Sequence, residues 1–449
     1  MKAIIIVITC IFLAQNSYAA DKWGFIKTYE TPKLSERPVR FVNIGDLKRD
    51  GKNQILVGYL SEIDDRDYNG ALSYSADYEF YIFEWTNNQL KAEMAKKWKS
   101  TDIKYTRKDY SNVQYMMIWD IQNKTLAETF PPFFAVEWKN GHYNFLEQNN
   151  KHSIGSWVFP WQSTSCDANF ARDSFPKECL YGIRNFKQEQ GLKLVTLTRY
   201  SKGSNRTLKI RSSEPGFPVE FEDKSPERSF VYSSIQDIGF GRFRKNAKSG
   251  ILLKNFTDGF FYNVTAGDKD KYNILKTDIK NLKIQSRGAE ISILDLYIGS
   301  TRTTDIEEFW GYVLEKIADG GNVPVLGRVV IKSDLSGIDF KKIDFPHNKQ
   351  FLGMGYFEIK DIDGDGLDEV IAVEQTGKRK FGIEYVLYTQ TMDYIKIFKW
   401  NGKEYQVMWK SPPYAYRGTK FVVDDIKGTG KKQLIVLTRE GTIQIWERQ

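Results

Sequence analysis

The chain has 449 residues, a formal charge of +8 with lysines and acids interspersed, and an aromatic content of 14%. It has no arginine-rich tract, zinc finger or basic helix, which argues against nucleic acid as a partner. No stretch beyond the first twenty residues approaches ~18 uninterrupted apolar residues, which argues against a transmembrane helix.

Met1-Lys2, an apolar run from Ala3 to Ala14, and small residues at Ser17 and Ala19 form a secretory signal. Cleavage is expected after Ala19, with Ala20 as the alternative. The mature chain, residues 20–449, is then secreted or periplasmic, and Cys10 is removed with the signal. Mild basicity in an exported protein favours anionic surfaces such as acidic polysaccharides or lipid head groups. Four sequons, at Asn123, Asn205, Asn255 and Asn263, matter only in a glycosylating pathway. Alternating apolar patterns dominate and no low-complexity linker divides the chain, which predicts one large all-β domain.

In chain order, Trp23–Tyr29 reads as a strand. Residues 41–57 read as strand, turn, strand around Asp46, with a glycine five residues after the aspartate. An acidic loop follows (Asp64, Asp65, Arg66, Asp67), and then a hairpin through Trp85 and Trp98. A weaker copy of the aspartate turn stands at Asp120, followed by a hairpin start at Phe134–Gly141, whose Asn-Gly is a strong hairpin signal. Cys166 and Cys179 lie in the next segment. Two thiols in an oxidising compartment are expected to pair, contributing roughly 3 kcal/mol through chain entropy. Further weak copies stand at Asp237 and Asp295. A charged loop with Arg302 and Asp305 comes next.

The strongest copy spans 357–373, with Lys378-Arg379-Lys380 in the loop after it and a hairpin through Trp400 and Trp409. The last copy surrounds Asp425, and a strand at 443–446 ends the chain. The interval from Asp120 to Asp237 is about twice the others. One more unit is therefore expected within it, around Trp157 to Arg199. Each unit holds four strands, so the repeats predict a β-propeller of seven four-stranded blades. The final unit lacks a fourth strand, which the segment at Trp23 would supply by pairing beside Ile443–Trp446, removing two exposed edges.

The segment 361–369 places carboxylates at turn positions one, three, five and nine: Asp361, Asp363, Asp365 and Glu369. Gly366 permits the bend, and the Leu367 carbonyl offers a ligand at position seven. Hard oxygen donors at these spacings suit calcium. An acidic turn without metal is the alternative. In the sister turns Lys48 and Lys427 stand at position three, where a lysine pairing with the aspartate would replace the ion's charge. Those turns are expected to be metal-free, and the calcium loop to be a structural staple.

These repeats resemble the FG-GAP/VCBS family of propeller repeats, specifically at 357–373, well at 41–57 and 421–436, and faintly elsewhere. The resemblance implies the fold and a Ca2+ ion on one face of the ring, with partners often met on other loops. Glu369 stands where the family pattern has aspartate. It implies no single activity.

The three histidines, His142, His152 and His347, stand in turns or loops without a motif partner, and no catalytic motif occurs. The loops at 64–67, 302–305 and 378–380 are expected on the face opposite the calcium turn, where they would rim a surface for a protein or glycan or be solvated tips. The tryptophans at 85, 98, 138, 400 and 409 are expected in interblade core. The first reading is thus a non-catalytic binding propeller. The second is a carbohydrate-active lyase or hydrolase on the same scaffold.

Overall fold

A computed structural model describes residues 23–35, 39–60, 78–98, 115–121, 124–130, 134–147, 177–185, 192–199, 206–212, 214, 216–223, 235–241, 250–255, 260–266, 272–278, 297–305, 307–316, 322–331, 338–343, 351–381, 386–415 and 419–449. The described residues contain strands and no helix. The signal segment, Cys166, Asp295, the 64–67 loop, His152 and His347 lie outside them.

The strands fall, in chain order, into seven antiparallel sheets among the described residues. Sheet 1 is Val39–Gly45, Gln54–Leu60, Tyr78–Thr86 and Gln89–Trp98. Sheet 2 is Tyr115–Ile121, Lys124–Phe130, Phe134–Lys139 and His142–Glu147. Sheet 3 is Lys177–Asn185, Leu192–Arg199, Arg206–Ser212 and Val219–Asp223. Sheet 4 is Ile235–Gly241, Gly250–Asn255, Phe260–Ala266 and Tyr272–Asp278. Sheet 5 is Tyr297–Gly299, Glu308–Lys316, Asn322–Ile331 and Ile338–Lys342. Sheet 6 is Phe351–Lys360, Glu369–Phe381, Val386–Trp400 and Tyr405–Lys410, with Tyr414–Ala415 beside its third strand. Sheet 7 is Lys420–Asp424, Gln433–Leu437 and Ile443–Arg448, with Phe25–Glu30 as its fourth strand. A four-stranded meander repeated along a chain is the building unit of β-propellers.

Burial explains the strand sequences. Successive side chains point to opposite faces of a sheet, and both faces of sheet 7 are covered. Leu434 and Val436 pack with Ile371, Val373, Ile395 and Ile397 of sheet 6. Ile435 and Leu437 pack with Val57, Tyr59 and Phe83 of sheet 1. The strand Gln433–Leu437 is therefore buried at every position. Sheet 6 is likewise double-sided: Phe357, Val370, Ala372 and Phe398 turn the other way, onto Trp310 and Leu326 of sheet 5. First strands run side by side: Val39–Gly45 lies next to both Tyr115–Ile121 and Lys420–Asp424, and Phe351–Lys360 next to both Tyr297–Gly299 and Lys420–Asp424.

The two ends of the chain share sheet 7. Phe25 pairs with Arg448, Lys27 with Trp446, and Glu30 with Gln444. Beyond the strand, Thr31 and Leu34 donate their N–H groups to the Ile443 and Gly441 carbonyls.

Several sequence expectations shift in register. Asp120 and Asp237 are strand residues, paired with Thr125 and Lys254, rather than turn residues. The extra unit runs from Lys177 to Asp223, later than the segment from Trp157 to Arg199. In sheet 5 the turn follows Gly299, so it begins at Ser300 rather than Asp295. At Asp120 and Asp237 an Ile-x-Asp pattern marked the apolar strand but not its end.

Phe25 is buried against the Trp409 ring at 5.2 Å. Phe25→Ala should cost about 3–5 kcal/mol of unfolding free energy, measured by denaturant titration. Val407→Ala, on the exposed side of the same seam at 47% exposure, should stay within about 0.5 kcal/mol.

Candidate metal-binding turn and the rim around it

Each of the turns after Gly45, Lys360 and Asp424 opens on an aspartate and closes by the same bonds. The position-one carboxylate accepts the N–H of position six: Gly51 on Asp46 at 2.8 Å, Gly366 on Asp361 at 3.2 Å, Gly430 on Asp425 at 2.5 Å. Closing so tightly requires left-handed backbone at positions four and six. Gly364 and Gly366 have φ of 80° and 89°, as glycine tolerates best.

Position nine is buried in all three turns, and its side-chain oxygen accepts the N–H of position two. Gln54 takes Leu47 at 2.7 Å, Glu369 takes Ile362 at 3.0 Å, and Gln433 takes Ile426 at 3.0 Å. The glutamines use their amide NH2 as well, donating to the position-seven carbonyls of Lys52 and Lys431. Glu369 has no such donor. Its second oxygen, Oε1, is met instead by the Lys399 ammonium at 3.0 Å.

The five residues expected to hold calcium are thus brought together in one turn. Ligand oxygens of Asp361, Asp363 and Glu369 lie within 4.8 Å of one another. Asp363 Oδ1 accepts the Asp365 N–H, and Asp365 Oδ1 accepts the Leu367 N–H. That leaves Asp363 Oδ2 and Asp365 Oδ2 to meet Lys399 Nζ, the latter at 2.6 Å. Arg448 stands 3.7 Å from Asp363 Oδ2. Burial pushes the Glu369 carboxyl up to about 7. Burial alone would lower the Lys399 ammonium, but its carboxylate partners outweigh that and hold it above the ordinary lysine value.

Lys399 was not foreseen from sequence. In the sister turns the position-three lysines do not bind the turn aspartate as expected. Lys48 pairs with Glu84 and Lys427 with Glu447, both on the third strand of their own sheets. Lys399 stands at the matching third-strand place, because Val370 pairs with Phe398 just as Ile55 pairs with Phe83 and Leu434 with Trp446. Polarity is therefore swapped in sheet 6: lysine on the strand, aspartate at position three. The sequence signal was available in the Glu84–Lys399–Glu447 alignment of third strands.

Turns also grip their neighbours through position eight. Asp368 Oδ2 accepts the Ser300 N–H of sheet 5 at 2.6 Å. Lys432 of sheet 7 donates to the Asp361 carbonyl, and Asn53 of sheet 1 to the Asp425 carbonyl. A cation follows the same rim in the other direction: Arg302 over Trp400, Lys399 over Trp23, Lys427 over Trp85 and Lys48 over Trp138. A Cβ on Gly299 would collide with Ile359, so glycine is what permits this close approach of sheets 5 and 6.

Arg302 and Asp305 are consequently on the rim of the metal turn, not opposite it. They belong to the first-to-second-strand turn of sheet 5, where Arg302 pairs with the buried Glu308 at 2.6 Å. Glu308, at position nine there, also takes Arg328 and the Thr301 hydroxyl. The early placement of the turn at Asp295 caused this error. Lys378 and Arg379 are strand residues, paired with Thr389 and Tyr388, because the hairpin continues to Phe381 and Val386. Cys179 pairs with Leu197 in sheet 3. His142 is exposed beside the Asn140 carbonyl. Trp409 is buried in the seam between sheets 6 and 7, while Trp85, Trp138 and Trp400 are half-buried under the rim cations.

No protein-family model matches the chain, and no curated protein matches it. Among solved structures, BBS1N in complex with ARL6DN is 10% identical with a TM-score of 0.43, over 94% of this chain and 96% of that one. The exotype rhamnogalacturonan lyase YesX is 10% identical with a TM-score of 0.42, over 95% and 75%. The Nup133 β-propeller domain of Vanderwaltozyma polyspora is 11% identical with a TM-score of 0.42, over 96% and 99%.

Glu358 precedes the turn on the first strand of sheet 6. Burial pushes its carboxyl from the ordinary 4.5 to about 7, against the pull of the Tyr356 hydroxyl at 2.6 Å. A folded value above the unfolded one means its stabilising share is complete below pH 4.5 and is lost as pH rises through 7. Thermal melts across that window should therefore show wild type falling relative to Glu358→Gln, with a constant difference above and below it.

Proposed function

We propose that this chain is an exported, non-catalytic binding propeller whose seven sheets form one ring, closed through the shared terminal sheet, and whose sheet-6 turn binds one calcium ion. The observation that carries the metal assignment is the exchange at position nine. Gln54 and Gln433 each cap the position-seven carbonyl with their own NH2. Glu369 leaves the Leu367 carbonyl without that donor and adds a buried anionic oxygen. Asp361, Asp363, Asp365, the Leu367 carbonyl and Glu369 are an all-oxygen set of the kind calcium takes. Four carboxylates crowd this one turn, and the Lys399 ammonium faces only three of them. The ion would supply charge neutralisation and stiffness to the turn and take part in no reaction.

The metal-bearing rim is occupied by turn-to-turn bonds. Its charged side chains are engaged with one another, which favours the opposite rim for a partner. There the second strands lead into the third, and in sheet 6 they do so through the extended hairpin bearing Lys378 and Arg379. These charges suit a protein or an anionic glycan. A glycan array with a parallel search for released oligosaccharide tests this. Bound glycan without cleavage fits the reading, and a released unsaturated product would make the chain a lyase.

Calcium at a hundredfold excess over its dissociation constant should stabilise the fold by about 2.7 kcal/mol. Asp363→Ala should abolish the calcium-dependent rise in melting temperature, while Asp46→Ala should leave it in place. Elemental analysis should give one calcium per chain. The triple variant Lys427→Asp/Thr429→Asp/Gln433→Glu, which gives the sheet-7 turn carboxylates at the same four positions, should give two. No calcium in either protein would refute the assignment.

The Cys166–Cys179 disulfide is part of the same exported reading. A non-reduced digest analysed by mass spectrometry should contain the two peptides linked. Finding them separate in exported material would remove the claim.

A further inference from the structure

Position three of the sister turns is a lysine directed at a third-strand glutamate, whereas in sheet 6 the third strand itself supplies the cation. The Lys399 ammonium is held between Asp363 Oδ2, Asp365 Oδ2 at 2.6 Å and Glu369 Oε1 at 3.0 Å. Three of the groups assigned above as calcium donors thus aim their free oxygens at one nitrogen. The carboxylate oxygens not aimed there are committed to backbone: Asp363 Oδ1 to Asp365, Asp365 Oδ1 to Leu367 and Glu369 Oε2 to Ile362.

We propose that Lys399 is the residue that sets the cation affinity of this turn, acting as a tethered monovalent competitor that a divalent ion must displace from its carboxylates. The proposal rests on the calcium reading. An ammonium and a divalent ion repel each other, and the same three oxygens cannot face both at contact distance. The displaced side chain has a second partner within reach, since Nζ already lies 5.0 Å from the centroid of the Trp23 ring. Arg448 covers that ring too, at 4.6 Å, so the exchange takes place at the junction of sheets 6 and 7. The swap of polarity gives Lys399 a role that Lys48 and Lys427 do not have. Each of those meets a single glutamate of its own sheet outside the turn.

The test is calorimetric titration of calcium chloride into metal-stripped full-length protein, for wild type, Lys399→Met and Lys399→Gln, with melting temperatures measured in parallel. Both variants should bind calcium at least tenfold more tightly than wild type. Stripped of metal, both should melt lower than wild type, and saturating calcium should narrow that gap. Lys399→Gln keeps a hydrogen-bond donor among the carboxylates and provides the measurement if the methionine variant does not fold. If wild type binds calcium and the variants bind equally or more weakly, Lys399 is a supporting residue, so this proposal falls while the calcium reading stands. If only the variants bind, the competitor role holds and the calcium reading fails for the native chain. If none binds, both fall.

Discussion

The bond from the position-two N–H to the buried position-nine side chain is the constraint on which each described aspartate turn depends. The strand before the turn ends with its backbone entering the protein, where an unpaired N–H would cost about 1–3 kcal/mol. Gln54, Glu369 and Gln433 meet that N–H from the first residue of the next strand. Position nine must therefore be a side chain long enough to reach back across the turn, carrying an acceptor. Both glutamine and glutamate satisfy this. Their difference lies in the second polar atom, a donor in one and an anionic acceptor in the other, and that atom decides whether the turn closes on its own carbonyl or turns toward a cation.

The turns do not act singly. Position eight of one reaches position one of the turn before it, so sheets 5, 6, 7 and 1 are laced along one rim by Asp368, Lys432 and Asn53. The sheet-6 turn sits in the middle of that row. It also touches the terminal strand, through Arg448 bonded to the Asp363 carbonyl at 3.4 Å. A change of charge inside the turn is consequently felt at two sheet interfaces and at the pairing of the chain ends. A staple has most effect in such a place, because terminal strands are the first to fray.

Much of this was legible in the sequence, for physical reasons. The strands around Asp46, Asp361 and Asp425 showed themselves because apolar alternation, glycine placement and a capping aspartate agree there. Pairing of the Trp23 segment with the last strand followed from counting strands. The aspartate pattern misled at Asp120, Asp237 and Asp295, where strand-end chemistry was inferred from one polar residue, and the displaced register carried Arg302 and Asp305 to the wrong rim. Lys399 escaped because its partners are thirty or more residues away and meet it only through cross-strand pairing. Glu308 escaped because sheet 5 has serine, not aspartate, at position one, and its position-nine role appears only once the turn is fixed at Ser300.

The most direct test is the single substitution Glu369→Gln. It keeps the acceptor for the Ile362 N–H and exchanges the anionic oxygen for an amide donor facing the Leu367 carbonyl. The account predicts a folded protein whose metal-stripped melting temperature is at least that of wild type and whose response to calcium is gone. A variant that fails to fold, or one that folds and still gains stability from calcium to the wild-type extent, would contradict it.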